Sequence, residues 1–305
     1  MNNKKVVIIG CGNVGMSYAY ALLNQRTYVN ELALIDLNKE RVEGEVMDLN
    51  HCLAFSPSKI KIKVGEYSDC ADASLIVLAA GVNQKDGNED RLGLLKKNAS
   101  IFKSIITEVM KYNFNGVFLI ATNPVDIMTY LTQKYSGLPK EKVIGSGTTL
   151  DTARLKFILA ERIGVSPSNV HGYVLGEHGD SEFIPWSNVN VALQPITDFI
   201  TEEDKKNIQV EVKDAAYKII EAKGATYYGI GMCLVKITNA ILGDENTVMV
   251  VSTYDKTNDI YIGLPSIINK NGAVKKIHFN LNDDETNRLI KSINILKNAL
   301  NELDD

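Results

Sequence analysis

The chain has 305 residues, 45% of them apolar and 23% charged, and 33 Lys and Arg set against 37 Asp and Glu leave a net charge of −4. That length exceeds the usual single-domain span of roughly 100 to 200 residues, so two folded domains are expected and bulk disorder is excluded. The acidic balance, with no stretch dominated by Lys or Arg, argues against nucleic acid as a partner, and no apolar run approaches the roughly 18 residues of a membrane helix.

The N-terminal Met1-Asn2-Asn3-Lys4-Lys5 leads into four apolar residues, Val6-Val7-Ile8-Ile9, before Gly10. That reads as a first strand buried on both faces, not as a signal peptide. Leu32-Ala33-Leu34-Ile35, Leu75-Ile76-Val77-Leu78 and Val117-Phe118-Leu119-Ile120 repeat the pattern, with Val143-Ile144 as a short further member. Helical stretches separate them, which is the signature of βαβ units around a parallel sheet. Lys61-Ile62-Lys63-Val64 alternates as an edge strand does. After Gly145-Ser146-Gly147 the texture changes to longer helical patterns mixed with alternating strands such as Thr247-Val248-Met249-Val250-Val251. The expected architecture is α/β: a doubly wound parallel sheet over residues 1–145, then an α+β domain over 146–305, with a cleft between them as the natural site. From Asp283 on, Leu289, Ile293, Leu296, Leu300 and Leu303 mark one apolar helix face, and Asp283, Asp284 and Glu285 favour its N-terminus. Cys11, Cys52, Cys70 and Cys233 show no CxxC pair and no zinc-ligand spacing, so free thiols in a reducing cytoplasm and no metal site are expected.

Gly10-Cys11-Gly12-Asn13-Val14-Gly15 directly follows the first strand and opens a helix. The first glycine permits a tight turn, the second lets backbone approach a pyrophosphate, and the third allows close helix packing, while the N–H groups at the helix start, around Asn13 and Val14, face the phosphates. The second strand ends in Asp36, 21 residues beyond Gly15. Its carboxylate can accept hydrogen bonds from the adenine ribose hydroxyls and would repel a 2′-phosphate, which favours NAD over NADP. Strand, glycine motif, helix, strand and acid in that order outweigh an unrelated glycine turn. They do not fix the chemistry, because this fold carries many.

Asp151 and Arg154 stand three apart in a predicted helix, so both project from one face; alone they read as an ion pair on a solvated surface. Gly176-Glu177-His178-Gly179-Asp180-Ser181 follows a predicted apolar strand, Tyr173-Val174-Leu175, and its histidine alone reads as a turn residue.

Read together, the segments resemble the L-lactate and malate dehydrogenase family across the whole chain. The resemblance rests on the glycine motif with Asp36, Ala80-Gly81-Val82-Asn83-Gln84-Lys85, Thr122-Asn123-Pro124-Val125-Asp126, Gly145-Ser146-Gly147-Thr148 through Arg154, the stretch at 176–181, and Lys223-Gly224-Ala225-Thr226-Tyr227-Tyr228-Gly229. It implies a Rossmann NAD-binding domain, with Ala80, Gly81 and Asn123 also at the cofactor, and a small 2-oxo or 2-hydroxy acid as substrate. It assigns His178 as proton donor and acceptor, with Asp151 on the far ring nitrogen, where a buried carboxylate stabilises the cationic ring. Arg154 would bind the substrate carboxylate through its planar fork, and Arg91, on a loop around residues 82 to 92 that closes over the site, would polarise the carbonyl. Asn123 and Thr226 resemble residues that line the nicotinamide and substrate pocket.

Gln84 bears on the choice of acid, since malate dehydrogenases resemble this stretch but carry arginine there. A neutral amide cannot offset the second carboxylate of oxaloacetate, whereas the methyl group of pyruvate needs no counterion. The lactate branch is therefore expected. The loop lacks the proline and is one residue longer than is common in that branch, which keeps a 2-hydroxyisocaproate-type dehydrogenase as the alternative, ahead of a malate enzyme or a nucleotide-binding protein without turnover. The NAD-dependent glycoside hydrolases, which share the nucleotide fold, would need a metal site. The resemblance also implies a homotetramer. Relatives that respond to fructose 1,6-bisphosphate bind it with an arginine and a histidine; the matching positions hold Lys156 and His171, and a lysine lacks the fork, so that effector site is half supported.

Overall fold

The structure is a computed structural model that describes residues 4–82 and 91–304, Arg91 and Asp304 in backbone only. Its first half alternates strands and helices: β1 (Lys5–Ile9), α1 (Asn13–Leu23), β2 (Glu31–Ile35), α2 (Lys39–Cys52), β3 (Lys61–Val64), β4 (Leu75–Leu78), α3 (Arg91–Met110), β5 (Val117–Ile120), α4 (Val125–Ser136) and β6 (Val143–Gly145). These six strands pair in parallel in the order β3-β2-β1-β4-β5-β6. The continuous apolar runs are buried throughout because helices cover both faces of the sheet. Val6, Ile8, Leu32 and Leu34 pack with Tyr18, Leu22, Leu234 and Ile241 on one face, and Val7, Ile9, Ile76 and Phe118 pack with Phe102, Ile106 and Met128 on the other. The alternating run is indeed the edge strand β3.

The second half comprises α5 (Thr149–Ile163), β7 (Val170–His171), β8 (Asn190–Val191), β9 (Gln194–Pro195), α6 (Glu202–Lys223), α7 (Tyr228–Leu242), β10 (Thr247–Asp255), β11 (Ile260–Asn269), β12 (Gly272–Lys276) and α8 (Asp283–Asp304). Its strands do not all form a sheet of their own. β10 pairs antiparallel with β6 through Ser252 and Gly145, and β11 and β12 follow, giving one nine-stranded sheet; β7, β8 and β9 form a separate small one. Gly147, at φ +51°, allows this close pass: a Cβ there would lie 2.4 Å from the Ser252 nitrogen. A third core under α5 and α6, built on Leu155, Leu159, Ile184 and Ile208, supports the smaller sheet.

Tyr173-Val174-Leu175 is not a strand. Leu175 makes one isolated bridge to Phe183 and the next residue, Gly176, one to Gly263, so the segment lacks the continuous partner a strand requires. That leaves the His178 segment as a loop held against both β11 and its own chain. No helix among the described residues is long and apolar enough to cross a membrane.

Candidate functional site

The carboxyl ends of β1 and β4 are neighbours at the point where strand order reverses, the crevice in which such sheets bind ligands. Gly10 takes φ +103°, and a Cβ on it would lie 2.3 Å from the Ala80 nitrogen; one on Gly15 would lie 2.0 Å from the Gly10 oxygen. These two glycines are required by close packing of backbone. At Gly12 an added Cβ would meet nothing within 4 Å, so this face of the turn is open. Gly12 also caps α1 without any side-chain hydrogen bond, and the first turn, with exposed Asn13 and half-buried Val14, carries no acid. An open glycine face over uncapped N–H groups fits a dinucleotide diphosphate.

Asp36 is half-buried just past β2, where its Oδ2 accepts the Cys11 N–H at 2.7 Å and its Oδ1 the Asn38 N–H at 3.1 Å. The acid thus also pins the glycine turn. Across the crevice, Thr122 Oγ1 donates to the Ala80 carbonyl at 2.7 Å. Asn98, 1% exposed on α3, accepts the Val82 N–H at 2.9 Å and donates to the carbonyls of Val82 and Asn123. This buried amide ties the loops after β4 and β5 together, and Gly81 lies against it.

The chemical residues converge on α5. Asp151 is 1% exposed; its Oδ2 lies 2.6 Å from His178 Nδ1 and its Oδ1 accepts Arg154 Nη1–H at 2.7 Å. The expected ion pair therefore exists, but it is buried, and it shares its carboxylate with the imidazole. Burial alone would raise the Asp151 carboxyl, yet the His178 ring and the Arg154 guanidinium outweigh it and hold the group below the usual carboxylate range. Burial likewise works against a charged His178, but the Asp151 charge and hydrogen bond prevail and push the ring up to about 9. The His178 side chain keeps 22% exposure, so one edge of the ring is open while Nδ1 is engaged.

Two further groups, Asp126 and Glu182, carry no signal of their own in the sequence. Asp126, buried on α4, accepts the His178 backbone N–H at 2.9 Å and the Ser252 hydroxyl at 2.5 Å, and its burial raises it to about 6. It lies inside the quoted motif around Asn123, but its partners are 52 and 126 positions away. Glu182, four residues after His178, is buried beside Asp151. Among the described residues, Asp151, His178 and Glu182 are the one carboxylate and imidazole trio close enough to share an ion. Asp151 is already bonded to both His178 and Arg154, and the guanidinium provides the positive charge there.

Asn123 is exposed at the end of β5 and Thr226 is half-buried between α6 and α7. Gln84 lies outside the described residues, as does the Arg91 side chain. Lys156 on α5 has its ammonium 6.0 Å from the Tyr173 ring centre, with its pKa lowered by burial, and His171 is exposed on β7. Two surface cavities of about 520 and 610 Å³ lie elsewhere, one around Lys4, Ser74 and Asp244, the other around Trp186, Gln209 and Arg288.

Comparison with known proteins places this geometry. Residues 4–145 match the family model of the lactate/malate dehydrogenase NAD binding domain, and 148–305 that of the lactate/malate dehydrogenase alpha/beta C-terminal domain. The chain belongs to the lactate/malate dehydrogenase family. Within that family, an L-lactate dehydrogenase of Halalkalibacterium halodurans is 52% identical over 96% of this chain and 95% of its own length. One of Staphylococcus saprophyticus is 51% identical over 99% and 98%. The crystal structure of a lactate dehydrogenase from a Medee basin deep-sea metagenome library superposes with a TM-score of 0.97 at 50% identity, covering 100% of both chains. The minor L-lactate dehydrogenase of Enterococcus mundtii in its ligand-bound form gives 0.95 at 45% identity, covering 99% and 98%. As a lactate/malate dehydrogenase family member the chain is an NAD-dependent 2-hydroxy acid oxidoreductase, and its Gly10 to Gly15 turn lies within the matched NAD binding domain.

Proposed function

We propose that the chain is an L-lactate dehydrogenase that interconverts pyruvate and (S)-lactate, with His178 as the proton carrier. The observation that carries the reading is the Asp151 carboxylate divided between His178 Nδ1 at 2.6 Å and Arg154 at 2.7 Å. One acid thereby orients the ring and fixes the guanidinium beside it. With Nδ1–H donated to Asp151, Nε2 is the nitrogen left to exchange a proton with substrate oxygen. The guanidinium gives one N–H to Asp151, and its remaining donors take the substrate carboxylate, which sets the 2-carbon near the ring.

Gly10, Gly12, Asn13, Val14, Gly15, Asp36, Ala80, Gly81 and Asn123 are the residues that hold NAD in this reading. When bound, its nicotinamide exchanges a hydride with the 2-carbon. The proton balance lies with His178: the ring gives its Nε2 proton to the carbonyl oxygen in reduction and takes the hydroxyl proton in oxidation. Asp151 stabilises the cationic ring and keeps its own charge throughout. Arg91 polarises the carbonyl and Thr226 lines the pocket in the same reading.

Pyruvate as the acid is supported by the names of the relatives at about half identity and by the neutral Gln84. NADH oxidation measured with pyruvate, oxaloacetate and 2-oxoisocaproate tests it. The highest kcat/KM is expected on pyruvate, and a preference for oxaloacetate would overturn it. The reading extends to a homotetramer in the cytoplasm. Light scattering on the purified chain tests the assembly. Titration with fructose 1,6-bisphosphate tests Lys156 and His171, and an unchanged KM for pyruvate removes the effector site.

A further inference from the structure

Glu182 is a carboxyl that the chemistry above leaves unused. The residue is 6% exposed, and its Oε1 is sealed from solvent with no hydrogen-bond partner. Side-chain polar atoms of Glu182, Asp151 and His178 all lie within 4.8 Å of one another, and the two carboxyl groups are within hydrogen-bonding reach. Two carboxylates this close and this dry cannot both stay ionised without a cation for each. Both cations present, the Arg154 guanidinium and the protonated His178 ring, are already bonded to Asp151.

We propose that Glu182 is an un-ionised acid that donates its O–H to Asp151, a positioning residue that completes the shell of the carboxylate holding the His178 ring. Asp151 then accepts from three donors: the imidazole, the guanidinium and the Glu182 hydroxyl. An unpartnered oxygen suits the neutral form, since a carbonyl oxygen left bare costs far less than a carboxylate left bare. Burial, with the Asp151 charge added to it, pushes Glu182 up to about 9, so the proton is in place at neutral pH.

The charged and titratable groups around it are Asp151 and Arg154 from α5 and His178 from its own loop. Behind these, Asp126 on α4 faces His178 and Cys233 on α7 faces Asp151 and Arg154; α6 contributes the neutral Gln209, which donates to the Glu182 backbone carbonyl. Neutral Glu182 matters to the substrate. If it ionised, a second negative charge would stand beside the guanidinium that takes up the substrate carboxylate, and anion binding would weaken.

The inference rests on His178 as proton carrier, but its first test uses no substrate. The infrared difference spectrum between the wild-type protein and Glu182→Gln at neutral pH is expected to contain the carbonyl band of an un-ionised carboxyl, shifted in deuterium oxide. Carboxylate bands alone would overturn the inference whatever the protein does to pyruvate. The second test compares Glu182→Gln, which keeps a neutral donor, with Glu182→Leu, which keeps the volume. The Gln variant is expected to exceed the Leu variant in kcat/KM for pyruvate by roughly tenfold, the fold-change of one lost hydrogen bond to a charged group. The KM for pyruvate, rising at alkaline pH in the wild type, is expected to rise less steeply in the Gln variant. Equal losses in the two variants, or a Gln profile that superposes on the wild type, would show a packing role only.

Discussion

Asp126 accepts the backbone N–H of His178 at 2.9 Å, although 52 positions of chain separate the two residues. The bond fixes the backbone at the base of the loop while Asp151 fixes the ring through Nδ1, so the residue is held at backbone and side chain and Nε2 is left open. Asp126→Ala would leave that N–H and the Ser252 hydroxyl without an acceptor in a buried site, a cost of about 1–3 kcal/mol each. Asp126→Asn retains one carbonyl oxygen for the N–H, and Ser252 can turn its hydroxyl to accept from the amide. Thermal unfolding is expected to order the proteins wild type, Asn, Ala. In the Ala variant kcat for pyruvate is expected to fall more than KM rises, because a displaced ring impairs proton exchange more than substrate binding.

The raised His178 ring has a direction-dependent consequence. Reduction of pyruvate needs the protonated ring, so kcat/KM is expected to hold below about 9 and fall above it; oxidation of lactate needs the neutral ring and is expected to rise through the same value. Asp151→Asn removes the charge that raises the ring, and the limb of both profiles is expected to move to lower pH. His178→Asn is expected to cost roughly 10²–10⁴-fold in turnover while NADH affinity survives. Fluorescence titration of NADH beside the pH profiles separates these effects, and unchanged turnover in His178→Asn would end the assignment.

What was legible in the sequence was local in the chain. Gly10, Gly12, Gly15 and Asp36 sit within one strand-turn-helix-strand unit, and their geometry follows from sterics that act over a few residues. Asp151 and Arg154 share one helical turn, so their pairing could be anticipated, though not that it would be buried. Asp126 with Ser252, and Glu182 with Asp151, depend on where distant elements pack, and no spacing encodes that. The same limit explains the second half. The alternation of Thr247 to Val251 marks a strand, but not that β10 would join β6 and extend the first sheet. The apolar Tyr173-Val174-Leu175 reads as a strand until its lack of a continuous partner is seen.

Arg154→Lys tests the fork. Lysine keeps a positive charge near Asp151 but offers it as a point and cannot bond Asp151 and a substrate carboxylate in two fixed directions. A lost charge-assisted hydrogen bond of about 1.5–3 kcal/mol corresponds to roughly 10–100-fold in kcat/KM for pyruvate, with most of it expected in KM. NADH affinity measured on the same variant should hold, since Arg154 lies on α5 and not in the glycine turn.

Asp36 has two duties that can be separated. Its carboxylate accepts the Cys11 N–H and, in the proposed complex, the ribose hydroxyls. Asp36→Asn keeps an acceptor for Cys11 but removes the charge that repels a 2′-phosphate, so the ratio of kcat/KM for NADH over NADPH is expected to narrow by roughly tenfold or more. Asp36→Ala also frees the glycine turn and is expected to weaken both cofactors. A ratio unchanged in Asp36→Asn would show that cofactor choice is made elsewhere.

Three of the four buried titrations at the centre, those of His178, Glu182 and Asp126, share one sign, which sets how stability varies with pH near neutrality. His178 rises from 6.5 to about 9 in the folded chain, so its contribution is complete below 6.5 and is lost as pH climbs through 9. Glu182 rises from 4.5 to about 9 and Asp126 from 3.8 to about 6; each binds a proton in the folded chain that the unfolded chain has already released, so each also lowers stability as pH rises through its window. Asp151, held below its ordinary value, acts oppositely, but only in acid, where its contribution is lost as pH falls through the folded value. Between pH 6.5 and 9 the melting temperature is therefore expected to fall without any change in fold. Calorimetry across that range checks it, and the decline is expected to be shallower in both His178→Asn and Glu182→Gln, since each removes one of the two protons released on unfolding. A melting temperature that rises over this window would mean that the site is wet enough for His178 and Glu182 to titrate as they do in water.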